Sequence, residues 1–189
     1  MTGSGSACLL RVLRHRTAVL LVLSLGLFDV HVPAAPAASV EIYYAPEDRP
    51  GDRLASLYEK AKRSIYVAVY GLTYPPIVKA LVAAKRRGVD VRVISDREKL
   101  SDPKQRAALE TLRLAGIPIL VNRFDGLMHL KQAVIDDEVN ASGSMNHTGS
   151  GNRYNDERLD VLTDPVTSAK ARDKFLSMWN DRERYEEWR

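Results

Sequence analysis

The chain has 189 residues, 45% hydrophobic and 28% charged, the length and balance of one globular domain with room for a proper core. Its 28 basic and 24 acidic side chains leave a formal charge of +4, an excess that neither requires nor opposes a nucleic-acid partner. The single cysteine, Cys8, excludes an internal disulfide, so stability must come from packing.

The pattern predicts an export signal over residues 1–37. Arg11, Arg14 and Arg16 precede the apolar run Thr17 to Phe28, twelve residues, and Ala35-Pro36-Ala37 is an A-x-A cleavage pattern. The run is short for a membrane-crossing helix, which needs ~20 residues. Retention of this segment as an uncleaved anchor is the competing expectation. Cleavage after Ala37 leaves 25 basic and 23 acidic side chains, or +2. Residues 38–189 are then the expected domain of a secreted or periplasmic protein.

Within that domain Ser39 to Tyr44 reads as a strand. Asp52 to Lys62 has helical spacing through Leu54, Leu57, Tyr58 and Ala61. Ser64 to Tyr70 is a near-continuous apolar strand of the buried kind. A helix from Pro75-Pro76 to Arg87 follows, closed by Gly88, and then a second buried strand, Val89 to Ser95. This β-α-β succession implies a parallel pair. The triplet Lys85-Arg86-Arg87 fits the negative end of a helix better than a phosphate backbone. Asp96 to Ser101 is a polar loop. Asp102 caps a helix with Pro103 at its first turn, ending at Gly116. Ile117 to Asn122 is a strand, and Arg123 to Leu127 a turn in which Phe124 either covers the core or stacks on a base. Leu159 to Thr163 is a last strand. Asp164-Pro165 opens a final helix through about Arg184, with Phe175, Leu176 and Trp179 inward.

The stretch Met128 to Asn146 carries the chemistry. Gln132 to Ile135 and Val139 to Ser142 read as strands around the polar turn Asp136-Asp137-Glu138. His129 and Lys131 are two apart, as are Ser144 and Asn146, so each pair shares one face of a strand, with Met128 and Leu130 turned into the core. An imidazole serves as nucleophile or general acid/base near neutral pH. An ammonium, a hydroxyl and an amide beside it suit a phosphate whose charge is redistributed during transfer. No metal-ligand spacing accompanies them, so no metal or organic cofactor is expected. After Asn146 comes a polar, Gly-rich loop, His147 to Asp156, with His147 expected at the entrance.

The order His129-x-Lys131, four residues, Asp136, six residues, Gly143-Ser144-x-Asn146 resembles the HKD signature of the phospholipase D superfamily. The likeness extends over about residues 39–185 and includes the strand-helix-strand half Ser64 to Ser95. In having one motif per chain, the sequence is similar to the small secreted or periplasmic nucleases of that superfamily. The resemblance implies an α/β fold, a mixed β-sheet with helices on both faces. It implies metal-free phosphodiester cleavage at a homodimer site. There His129 of one subunit forms a phosphohistidine and His129 of the other protonates the leaving oxygen. Lys131 and Asn146 would hold the phosphate, with Ser144 nearby. Glu157, or failing it Asp156 or, less readily, Asp160, would orient the histidine. Asp136 and Gly143 complete the motif in structural roles. The expected substrate is nucleic acid, DNA and/or RNA. The alternatives are a lipid phosphodiesterase of phospholipase or cardiolipin type, with membrane lipid as partner, a non-catalytic nucleic-acid binder, and a metal-dependent nuclease.

Overall fold

A computed structural model describes residues 37–189; the expected export signal lies outside the described residues apart from Ala37. Eight strands form one mixed sheet, in the order β1-β7-β6-β5-β2-β3-β4-β8. They are β1 (Ser39–Ala45), β2 (Ser64–Val69), β3 (Asp90–Ser95), β4 (Ile119–Asn122), β5 (Lys131–Ile135), β6 (Val139–Gly143), β7 (Glu157–Thr163) and β8 (Tyr185–Glu187). The helices are α1 (Pro50–Lys60), α2 (Pro75–Arg86), α3 (Pro103–Leu114), α4 (Gly149–Arg153) and α5 (Pro165–Asn180). A 3₁₀ turn, Glu98–Ser101, precedes α3. This is the expected architecture.

Strand alternation explains the two layers. On β2, Ile65, Val67 and Val69 face one way and pack with Leu54 and Tyr58 of α1, Ile77 and Leu81 of α2, and Leu109 and Leu112 of α3. Ala68, from the opposite face, joins Ile94, Leu120 and Met128 under Phe175, Met178 and Trp179 of α5. A strand covered on both faces has no room for polar alternation, which is why β2 and β3 read as continuous apolar runs. β2 pairs in parallel with β3, and β3 with β4. β5, β6 and β7 join antiparallel. The expected βαβ unit and the β5–β6 hairpin are therefore both present.

Several boundaries shift for local reasons. α1 starts at Pro50 rather than Asp52, because proline presets the first helical turn. α4 arises within the expected loop: the Thr148 hydroxyl caps it, accepting from the Gly151 N–H at 3.0 Å. β7 begins at Glu157, two residues before the expected Leu159, since it pairs with β1 as far as Ala45. α5 stops at Asn180 instead of Arg184. The Asp181 carboxylate accepts from the Arg184 N–H at 3.0 Å, and the turn leads into β8 on the edge of β4. Phe124 covers the core, edge-on to Tyr185 with the Arg184 guanidinium 4.3 Å from its ring centre. In the basic triplet, Arg87 donates to the Tyr58 carbonyl at 2.9 Å, at the C-terminal end of α1.

Candidate active site

The β5–β6 hairpin has a turned end and an open end. At the turn, Asp136 and Asp137 both adopt positive φ, 55° and 59°, and the Glu138 N–H closes onto the Ile135 carbonyl at 3.0 Å. This is the tight reversal that antiparallel strand twist favours. The Asp136 carboxylate accepts from the backbone N–H groups of Lys62 at 2.9 Å, Arg63 at 2.6 Å and Ser64 at 3.0 Å. Partial burial alone would raise its pKa; the three amides and the Arg63 charge outweigh that and hold it below the usual carboxylate value. Asp136 thus bolts the hairpin to the start of β2.

The open end carries the chemical groups. β5 starts at Lys131, so His129 stands in the segment just before the strand rather than on it. Met128 is buried as expected, but Leu130 is 36% exposed instead of packed in the core. The His129 backbone is held from both sides. The buried Asp96 carboxylate accepts from the Met128 N–H at 2.6 Å, and the Leu130 carbonyl accepts from Tyr70 N–H at 3.0 Å. The imidazole is exposed and leans on Tyr70, ring centres 4.7 Å apart. Lys131 Nζ lies 2.9 Å from His129 Nδ1 and 3.1 Å from Nε2, and donates to the His129 carbonyl at 2.9 Å. Burial pushes the Lys131 ammonium below the ordinary lysine pKa, partly offset by the negative charge of Glu157. A second ammonium, Lys99, sits 4.9 Å from the Tyr70 ring centre.

Asn146 is anchored by its carbonyl. Oδ1 accepts from the Gly71 N–H at 3.1 Å, which leaves Nδ2 as a donor toward the site. Gly143 has no space for a side chain: a Cβ would collide with the Arg158 carbonyl oxygen of β7. Ser144 differs from expectation. Its hydroxyl donates to Glu157 Oε2 at 2.5 Å and accepts from the Arg158 N–H at 3.0 Å, so its one proton is engaged within the chain rather than free for a phosphate. Glu157 differs with it. Oε2 takes the Ser144 hydroxyl and Oε1 the Asn155 amide at 3.3 Å, and the expected bond to His129 is not formed among the described residues. Asp156 is exposed, and Asp160 pairs with Arg158 at 2.7 Å.

His147 is the clearest departure. It lies at 2% exposure, not at an entrance. Its backbone carbonyl accepts from Thr73 and Tyr74, its N–H donates to the Gly71 carbonyl, and its Nδ1 has no partner among the described residues. Burial drives its pKa down to about 3, so it is neutral near pH 7. Tyr70, Lys99 and Asp96 escaped the sequence reading. Tyr70 and Asp96 lie just past the ends of β2 and β3 and Lys99 in the 3₁₀ turn that follows, all distant in sequence from the motif, where no spacing rule connects them to it. Among the described residues no group of three or more His, Cys, Asp or Glu side chains is placed to hold a metal ion.

The comparisons place the chain in a family. The family model described as "Cardiolipin synthase, PLD-like domain" matches residues 54–179. Phospholipase D of Rickettsia conorii is 32% identical over 130 residues, 68% of this chain and 62% of that protein. Mitochondrial cardiolipin hydrolase of Xenopus tropicalis is 30% identical over 129 residues, 68% of this chain and 60% of that protein. The matches thus span about three fifths of these relatives' length. The crystal structure of Nuc, a phospholipase D family member from Salmonella typhimurium, superposes with a TM-score of 0.74 at 30% identity, covering 81% of this chain and 99% of that one. A family model over residues 54–179, relatives at 30% identity or more and a shared mixed sheet lead to one conclusion: this chain belongs to the phospholipase D superfamily of hydrolases.

Proposed function

We propose that the protein is a metal-independent phosphodiesterase that cuts nucleic acid, DNA and/or RNA, through a phosphohistidine at His129. The observation that carries this reading is the open end of the hairpin. There an exposed imidazole has the Lys131 ammonium at contact distance and leans on Tyr70, and the next residue, Gly71, anchors the Asn146 amide through its Oδ1. A ring nitrogen of His129 attacks phosphorus and the bond to the leaving oxygen breaks. The departing oxygen takes a proton from a second imidazole. Water then gives its proton to that imidazole and attacks phosphorus, and the P–N bond breaks. Lys131 and Asn146 meet the charge that builds on the phosphoryl oxygens.

The reaction needs two imidazoles. The described residues hold two histidines, and His147 is buried and neutral. A second copy of the chain supplies the missing one if two motifs meet across a two-fold axis. Leu127 and Leu130, 46% and 36% exposed on either side of His129, are apolar surface suited to that contact. In such a dimer the Ser144–Glu157 pair would exchange partners, with Glu157 turning to a histidine. We further propose that the N-terminal segment is an export signal and that the enzyme is secreted or periplasmic; the mass of the mature N-terminus tests this.

A second reading, hydrolysis of a phospholipid headgroup, is favoured by the relatives named phospholipase D and cardiolipin hydrolase. No helix among the described residues is long and apolar enough to cross a membrane. The deciding experiment incubates purified protein and His129→Ala, in excess chelator, with plasmid, single-stranded nucleic acid and cardiolipin liposomes. Cutting of nucleic acid by the wild type alone supports the nuclease. Headgroup release without cutting transfers the mechanism to lipid. Loss of all activity in chelator overturns the metal-independent chemistry.

A further inference from the structure

A cleft of about 850 Å³ runs from the site into the protein between α2, α3 and the loop that carries α4. One end is formed by Gly71 and Asn146, the pair that positions the phosphate-binding amide. Its floor includes Val78, Gln105 and Ala108, which are 7%, 1% and 9% exposed, between exposed walls. Lys99, Lys104 and Tyr154 stand on its walls. Tyr154 is 78% exposed, with no aromatic partner among the described residues. The wall has one carboxylate, Asp102, and its Oδ1 is engaged by the Lys104 N–H at 2.8 Å as the α3 cap. Lys99 also lies over Tyr70, whose ring supports His129, so the cleft wall and the reactive imidazole share one contact chain.

A floor of Val78, Gln105 and Ala108, an available aromatic ring and two ammonium groups, in a cleft that ends at the phosphate-binding amide, match a nucleotide unit: a base to bury and stack, and a phosphate to neutralise. Pockets for ligands of that size run from roughly 300 to 1,000 Å³. We propose that this cleft seats the nucleotide flanking the scissile phosphate, its base on the Val78–Ala108 floor against Tyr154 and its phosphate on Lys99 and Lys104. The proposal rests on the nuclease reading above and sharpens it. A base inside a duplex has both faces stacked and its edge paired, and cannot reach a recessed floor without leaving the helix. The substrate is therefore single-stranded nucleic acid.

The test uses the full-length protein, Ala107→Trp and Tyr154→Ala. Ala107 is an exposed position of α3 on the cleft wall, so its indole fills the recess without entering the core. Each protein is given a labelled single-stranded oligonucleotide, the same strand annealed to its complement, and bis(p-nitrophenyl) phosphate, a diester too small to span the cleft. The wild type is expected to cut the single strand faster than the duplex. Both variants should lose about tenfold or more in kcat/KM on the single strand, mainly through KM, since stacking one base contributes ~1–3 kcal/mol. Their hydrolysis of the small diester should match the wild type. Wild-type rates on the single strand in both variants overturn the cleft assignment, as does equal cutting of duplex and single strand, or a parallel loss on the small diester. A wild type that hydrolyses the small diester and cuts neither oligonucleotide overturns the nuclease reading itself, an outcome distinct from failure of the cleft alone.

Discussion

The two ends of the β5–β6 hairpin are built from the same motif and treated in opposite ways. At the turn, Asp136 is saturated: three backbone amides converge on its carboxylate and lock the hairpin to β2. At the open end, His129 is exposed and, among the described residues, its ring is bonded to Lys131 alone and the Asn146 Nδ2 has no partner. Saturated groups hold shape; unsaturated ones, pinned through their backbones or one polar atom, are left to act on a substrate. The difference teaches that a six-residue signature mixes positions that stabilise the fold with positions that do chemistry, and that hydrogen-bond partners tell them apart.

Substitutions at the two ends should therefore separate activity from stability. The largest effect is expected for His129→Ala: activity falls by at least about 10⁴-fold, as for loss of a covalent nucleophile, while the denaturation midpoint is unchanged, because an exposed ring contributes only within about ±0.5 kcal/mol. Lys131→Ala should cost about 10²–10³ in kcat, the magnitude of one lost donor to a developing oxyanion, again with the fold intact. Asp136→Ala should behave oppositely. Three charge-assisted bonds are lost, so urea denaturation should show a loss of roughly 2–4 kcal/mol, with the remaining folded enzyme fully active. A collapse of kcat in folded Asp136→Ala protein would merge the two ends into one functional unit.

The smallest effects concern pH. Asp136 is held below its unfolded pKa, so its contribution is fully present above that value and is lost as pH falls through the folded one. His147 carries a penalty of the same direction. Its folded pKa of about 3 lies below the ordinary 6.5, so between pH 6.5 and 3 the unfolded chain binds a proton that the native chain refuses. Stability then falls by about 1.4 kcal/mol per pH unit on acidification. His147→Phe, which fills the same space without titrating, should flatten that slope in thermal melts between pH 7 and 4. An unchanged slope would place the acid sensitivity elsewhere.

Much of this molecule was readable in order along the chain. The buried β2 and β3 runs announced a covered parallel pair, and Asp102-Pro103 and Asp164-Pro165 announced the starts of α3 and α5, because caps and periodicity are local physics. Local physics also misled. The polar, glycine-rich Gly149–Arg153 reads as loop and becomes α4 only because Thr148 caps it and buried Asn152 accepts from Gly51 N–H at 2.7 Å across the fold. The three-residue β8 exists only because β4 offers an open edge.

The sequence by itself determined the motif, the fold class and the family, since the spacing of His129, Lys131, Asp136, Gly143, Ser144 and Asn146 is written along one stretch. Only the tertiary structure decided what surrounds that stretch. It sets Tyr70 against the His129 ring, Asp96 on the Met128 amide beside it and Lys99 over Tyr70, and it buries His147. It ties Glu157 to Ser144 and opens a cleft beside Asn146. The reason is that these contacts join elements set by the strand order, and strand order is settled by packing two helical layers onto one sheet, which no local spacing encodes.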